Sequence, residues 1–271
     1  MPLRPLQPNQ LMLKILKYSF YDLIRSRWSY VYFLFYLLLG FVLLFLNNDV
    51  SKAIITLMNV IIILVPLIST IFGIMYFYNS KEFTELLLAQ PVKRSSIFLG
   101  QYLGVAGSLT LSLVLGLGIP FVLYGLFKSD AIFDFTLLLV TGAFLTLIFT
   151  VLSFNIALSN ENKIKGFGYA VLLWLFLAVI YDGLFLMSLI IFKEYPLDGF
   201  SLGATMFNPI DLSRTLILLK LDISALLGYT GAVFKQFFGT DQGFFVSMFM
   251  LVLWTVLPIW RLVYISKKKD F

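Results

Sequence analysis

A chain of 271 residues that is 60% hydrophobic and only 13% charged lies outside soluble globular composition, where about a quarter of residues carry charge, and reads as a polytopic membrane protein. It has no Cys and no His, so zinc sites of the Cys/His kind, thiolate nucleophiles, Ser-His-Asp triads and H-E-x-x-H helices have no residues to be built from. The net charge of +6 reports orientation in a membrane chain, and nucleic-acid binding does not follow from it.

The first element is expected over 10–28. Leu11, Ile15, Leu16, Phe20, Leu23 and Ile24 follow a helical period, with Lys14, Lys17, Asp22 and Arg25 between them, as in a helix lying in the cytoplasmic interface. It precedes a full-length span with no small-residue cleavage site after it, so it does not read as a secretory signal. Trp28 and Tyr30 mark the entry to span one, at headgroup level.

A bilayer core of about 30 Å needs roughly 20 apolar residues in a helix. Six stretches qualify: 29–46, 53–76, 97–127, 132–158, 166–192 and 243–265. Three exceed the need, so either the helices tilt and protrude or a break such as Gly116, Gly118 and Pro120 ends the regular part early. Pro66 is expected to kink span two, as a hinge or simply as a shape. Between spans five and six, 215–234 is apolar enough for a seventh span but carries Lys220 and Asp222 near its middle, each costing about 2.5–3.5 kcal/mol at a bilayer centre. Residues 193–242 therefore read as an extracytoplasmic segment with one or two short helices, at the interface or packed between spans, one starting after Asn208-Pro209 with Asp211 as its N-cap.

The loops alternate in charge. Lys and Arg number 14 on the side of the N-terminal segment, the 77–96 connection, the 159–165 connection and the C-terminus, against 6 on the other, which places both termini in the cytoplasm. Nothing divides the chain into two domains, and the expected architecture is all-α, a single transmembrane domain over 1–271.

No G-x-x-x-x-G-K-[ST] is present, and Gly125-Leu126-Phe127-Lys128-Ser129 has the wrong spacing to cradle phosphates; any ATP must be bound by another polypeptide. The connection 79–94 predicts a short amphipathic helix stopped by Pro91, with Lys81, Glu82, Glu85 and Leu86 on it and Lys93-Arg94 after it. It is either a lever for a cytosolic partner or a loop that reverses the chain. Tyr181-Asp182 lies deep in span five, nearer the outer half, where an acid has either a substrate, proton or ion role or a hydrogen-bonding one. Gly100, Gly104 and Gly107 share a face of span three, for close helix packing or a dimer seam. Met12, Met58, Met75, Met187, Met206, Met248 and Met250 are scattered, which favours packing over soft-metal ligation.

Several phrases together carry a resemblance. The run 17–28 (Lys-Tyr-Ser-Phe-Tyr-Asp-Leu-Ile-Arg-Ser-Arg-Trp), with Asp22, Arg25, Arg27 and Trp28, looks like the K-E-x-x-D-x-x-R-x-R-W elbow helix of type-2 ABC exporter permeases, without its usual acidic residue. The runs Glu85-Leu86-Leu87-Leu88-Ala89-Gln90-Pro91-Val92-Lys93-Arg94 and Ile97 to Gly104 are similar to the family's coupling helix and third span, E-L-L-L-x-x-P-x-x-R-x-x-I-x-x-G-K/Q. Ahead of Glu85, Lys81-Glu82-Phe83-Thr84 stands where the family has a glycine-rich turn. Tyr181-Asp182 and the N-P-x-D-x-x-R phrase Asn208, Pro209, Asp211, Arg214 resemble the membrane subunit of the transporter that matures nitrous-oxide reductase (NosY-like). The resemblance spans most of the chain.

It implies a multi-pass subunit of the bacterial inner membrane, a second copy of itself, and a cytosolic ABC ATPase dimer that binds the ATP and magnesium, with no cofactor in this chain and no enzyme activity of its own. A periplasmic partner is expected to meet the outer loop around Asn208 to Arg214. The activity implied is export, or energy transduction, for a copper-sulfur centre of the reductase. The rivals are a type-2 permease for a lipid or drug and an ion-coupled secondary transporter using Asp182.

Overall fold

The computed structural model describes residues 8–47, 50–195, 197–220, 237 and 241–268. The described residues are helical almost throughout, with no strand among them. The elements are α1 (Pro8–Ile24), α2 (Arg27–Asn47), α3 (Val50–Asn79), α4 (Lys81–Leu88), α5 (Arg94–Leu123), α6 (Ile132–Ser159), α7 (Lys163–Leu175), α8 (Tyr181–Ile191), α9 (Asp198–Met206), α10 (Pro209–Lys220) and α11 (Asp241–Lys268). Among the described residues six helices are long and apolar enough to cross a membrane: α2, α3, α5, α6, the joined α7 and α8, and α11. Each predicted stretch falls on one of them.

The long stretches are long because their helices are. The 30 residues each of α3 and α5 give helices of about 45 Å at 1.5 Å per residue, well beyond a bilayer core. Of the two readings left open for span three, a break at Gly116, Gly118 and Pro120 is not the one observed: α5 runs through all three to Leu123. Pro120 sits near the end of the helix and packs against Gly40 of α2, where a Cβ would come within 2.9 Å of its ring. Gly125, at φ 92°, then turns the chain into a 3-10 turn, Leu126–Lys128; the phrase with the wrong spacing for phosphate is this turn.

The regular backbone is interrupted instead in span five, where residues Phe176–Ile180 form a π-helical turn between α7 and α8. π turns insert one residue into the helical ladder and open a carbonyl to other donors.

α3 and α6 are the centre of the bundle and make its most extensive packing between spans. Ile54, Leu57, Ile61 and Val65, one stripe of α3, are fully buried, as are Leu138, Leu145, Phe149 and Phe154 of α6. Some hydroxyls inside the spans are satisfied by their own helix: Thr141 donates to Leu137 O (2.9 Å), Thr146 to Gly142 O (2.9 Å) and Thr255 to Leu251 O (3.0 Å). This removes the cost of burying them where water is absent, whereas the hydroxyls of Ser69, Ser108, Thr110 and Thr150 have no partner among the described residues. Asn155 Nδ2 donates to Pro258 O (2.9 Å) and ties α6 to α11. Span five is the least buried of the six and turns most of its apolar side chains outward.

α1 and α5 make the most extensive contact of any pair of helices. A Cβ on Gly100 would lie 2.9 Å from Met12 O, and one on Gly104 would lie 2.6 Å from Ser19 Cβ and 2.8 Å from Leu16 O, while Gly107 faces Phe20. Partners advance along both helices in the same direction, so α1 runs parallel with the first third of α5 with its backbone in the glycine stripe. Small residues allow this approach and the dispersion contacts that come with it. Of the two uses open for the stripe, helix packing is the observed one, and α1 fills it. Ser26 ends the element and starts the next, accepting from Ser29 N (3.2 Å), as N-caps do.

α3, α6 and α11 end, and α5 and α7 begin, at one end of the bundle. Tyr78, at the end of α3, donates to Asn160 O (2.7 Å), and Lys163 Nζ to Asn79 Oδ1 (3.0 Å). That end carries α4 and most of the described lysines and arginines.

Candidate functional site

Two places gather the chemically distinctive residues, one at each end of the bundle. The first is α4. Ser80 separates it from α3, its hydroxyl turned back onto Tyr76 O (2.8 Å). Thr84 Oγ1 donates to Ser80 O (2.8 Å) and accepts from Gln101 Nε2 of α5 (2.8 Å), with Thr84 and Gln101 both buried. Phe83 stacks on Tyr18 of α1 at 4.7 Å between centroids. One face of α4 is thus held to both α1 and α5, and Ser80 alone joins it to α3.

The opposite face is open. Lys81, Glu82, Glu85 and Leu86 are exposed, Leu86 at 69%. Lys81 and Glu85 pair at 3.7 Å, a surface pair one helical turn apart and worth only a few tenths of a kcal/mol. The helix ends at Leu88, with Ala89 N donating to Glu85 O (3.1 Å), three residues before Pro91, which is exposed in the turn that leads to Arg94 at the start of α5. An apolar side chain flanked by charges on a helix held from behind is suited to pushing against a partner.

The second place joins two phrases that are separate in sequence. Arg214 of α10 pairs with Asp182 at 3.0 Å and with Asp211, one turn before it, at 3.4 Å. Asn208 Nδ2 donates to Asp211 Oδ2 (2.8 Å) and to the Leu177 carbonyl in the π turn (2.8 Å). Tyr181 donates to Ala204 O of α9 (2.6 Å), and Trp254 Nε1 of α11 to Met206 O (3.1 Å). Asn208 thus binds a carbonyl within the π turn. Nothing in the apolar run 176–180 signals such a turn.

Asn208, not Asp211, caps α10: its Oδ1 accepts from Ile210 N (3.1 Å). Both residue types cap well, but Pro209 decides the matter, since its fixed φ and missing N–H suit the first helical position. Asp211 falls in the first turn and turns to Arg214 instead. α10 packs against α3, α6, α9 and α11, with Ile210, Leu212, Leu216 and Ile217 buried. Of the two placements left open for short helices in 193–242, α10 takes the one between spans. Lys220 ends α10; Asp222 and the rest of the candidate seventh span through 234 lie outside the described residues.

Asp182 therefore faces a guanidinium. Its side chain keeps 31% exposure and that of Arg214 26%. Two carboxylates around one guanidinium and one amide make a clasp between span five, α9 and α10, without a nucleophile or a proton donor aimed at open space. Asn208, Pro209 and Asp211 are buried within the chain; exposed beside them are Phe207, at 70%, and Phe200. Of the elbow residues, Asp22, Arg25, Arg27 and Trp28 are all exposed around the turn from α1 to α2. Among the described residues no group of three or more acids is placed to hold a metal ion.

Compared with known proteins, the chain matches no family model and no curated protein.

Proposed function

We propose that this chain is the membrane permease subunit of a type-2 ABC exporter, with α4 as the lever moved by a separate cytosolic ATPase. The observation that carries the reading is the two-sided character of α4, bare on Lys81, Glu82, Glu85 and Leu86 and tied behind to α1, α3 and α5. Two copies pair on two ATPase subunits, which bind ATP and magnesium, in a bacterial inner membrane with both termini cytoplasmic. The excess of basic residues at the α4 end supports that orientation.

A push on α4 reaches α5 through Thr84–Gln101 and α1 through Phe83–Tyr18, while α3 continues from Ser80 into the bundle centre. α3 and α6 pack against α10, which Arg214 and Asn208 fasten to span five. The outer ends then shift as one body. The Tyr181-Asp182 and Asn208 to Arg214 phrases, resembling the nitrous-oxide reductase maturation subgroup, meet in this clasp, which supports placing the activity in copper-sulfur centre maturation through a periplasmic partner. That partner would touch the exposed Phe200 and Phe207, held in place by the buried phrase. A type-2 permease for a lipid or drug differs only in that partner and in its cavity. Ion-coupled transport through Asp182 is disfavoured by its pairing with Arg214, which neutralises the charge a cation would need.

Leu86→Asp and Glu85→Lys variants test the reading. Both sites are exposed, so the protein should reach the membrane at normal levels, while ATP turnover by the co-purified complex loses its link to activity. Unchanged activity in both variants would remove α4 from the mechanism.

A further inference from the structure

Two depressions meet on α1. The deeper is a cavity of about 620 Å³, within the roughly 300–1,000 Å³ of small-molecule sites, bounded by α1, α3 and α4. Ile71, Phe72 and Met75 of α3 and Leu23 of α1 give it an apolar lining, Phe83 of α4 forms one wall, and Trp28 stands at its edge, 67% exposed. The shallower depression is basic: Lys14, Lys17 and Arg25 line it with Tyr21. Residues 14, 17, 21 and 25 recur at three- and four-residue steps, one face of the helix. Tyr18 and Asp22 line both depressions, so the surface is continuous from the cations to the apolar cavity.

We propose that this surface is a binding site for one anionic glycerophospholipid, its phosphate on Lys14, Lys17 and Arg25 and an acyl chain in the cavity. The charge fits: among the described residues none of the three cations is paired with a carboxylate, Lys17 lying instead over the Tyr21 ring at 5.9 Å, and they outnumber Asp22, the single acid. The depth fits as well. The apolar lining belongs to a membrane-spanning helix, and Trp28 marks the headgroup level at the start of another. A basic helix face beside a span attracts anionic lipid in general; what distinguishes this one is the cavity that continues from it. Such a lipid would wedge α1, α3 and α4 together through contacts with Tyr18, Met75 and Phe83, at the base of the lever.

The test uses the full chain, purified in detergent, stripped of lipid and offered equal amounts of phosphatidylglycerol and phosphatidylcholine with the same acyl chains, retained lipid being read by native mass spectrometry. Phosphatidylglycerol should be retained in preference. The variant Lys14→Gln/Lys17→Gln/Arg25→Gln, changed only at exposed positions, should lose that preference by roughly fivefold for each charge removed. Met75→Trp, which narrows the cavity from a half-exposed position, should lower phosphatidylglycerol retention while leaving the protein's thermal transition in place. Equal retention of the two lipids, or a preference unchanged in the triple variant, overturns the proposal. So does displacement of the lipid by millimolar inorganic phosphate, which would make it a free-anion site.

Discussion

Arg214 stands between two carboxylates, and removing it should be costlier than removing either. An ion pair broken inside a protein costs about 3–5 kcal/mol when fully buried. Here Arg214 and Asp182 keep 26% and 31% exposure, so water recovers part of the loss. Arg214→Gln should therefore lower stability in detergent by about 1–3 kcal/mol. Asp182→Asn should cost less in that background than in the native chain, with a coupling of about 0.5–3 kcal/mol in the thermal unfolding cycle. Strict additivity would mean that the pair does not hold the clasp. Asp182 and Arg214 were each legible as chemically unusual, an acid inside a span and a phrase outside it, but their meeting was not. They are 32 residues apart, and hydrophobic periodicity reports which face an element buries, never which neighbour it meets. The cap of α10 shows a subtler miss. Asn208 and Asp211 have equal capping chemistry, and only the place of Pro209 between them separates the two.

At the scale of elements, the spans were legible because the bilayer imposes one local condition, a sufficient length of apolar helix. α1 was legible as a helix but not in its destination. A stripe such as Ile15, Ser19 and Leu23 answers equally to lipid and to protein, and in the fold it answers to Gly100 and Gly104 of α5. That docking predicts a clear phenotype. Gly104→Val puts a branched side chain where a single Cβ already lies 2.6 Å from Ser19, so α1 should leave its groove. The chain has no cysteine, which makes an introduced thiol its only one. Ser19→Cys, fully buried, should resist maleimide alone and react readily alongside Gly104→Val; a thiol that stays protected in the double variant contradicts the docking. The π turn at Phe176–Ile180 had no sequence signature. Its residues are ordinary span residues, and the partner that meets the turn at the Leu177 carbonyl, Asn208, belongs to another element.

For the whole molecule, the charge asymmetry of the loops predicts an orientation that single thiols check. Glu161→Cys, in the exposed turn between α6 and α7, should react with an impermeant maleimide only from the cytoplasmic side, and Lys128→Cys only from the outer side. Labelling of both from one side would break the six-span topology. The bundle has polar fastenings toward both ends, Thr84–Gln101 and Tyr78–Asn160 at the α4 end and Asp182–Arg214 with Asn208–Leu177 near the other, and a few between, such as Trp174 Nε1 on Ile63 O and Tyr102 on Leu147 O. Between the ends α3 and α6 pack closely, Ile61 against Gly142 and Gly73 against Ser153, a body able to pass a displacement along its length because close-packed interiors deform little.

On the proposed reading a separate ATPase drives that transmission, so the most direct measurement is affinity purification of the chain with its native neighbours, followed by identification of what is retained and by an ATPase assay. The account predicts a cytosolic nucleotide-binding subunit held in equal number to this chain, with ATP turnover that depends on the exposed face of α4. Recovery of the chain alone, without ATP turnover but with solute movement in sealed vesicles, would contradict it.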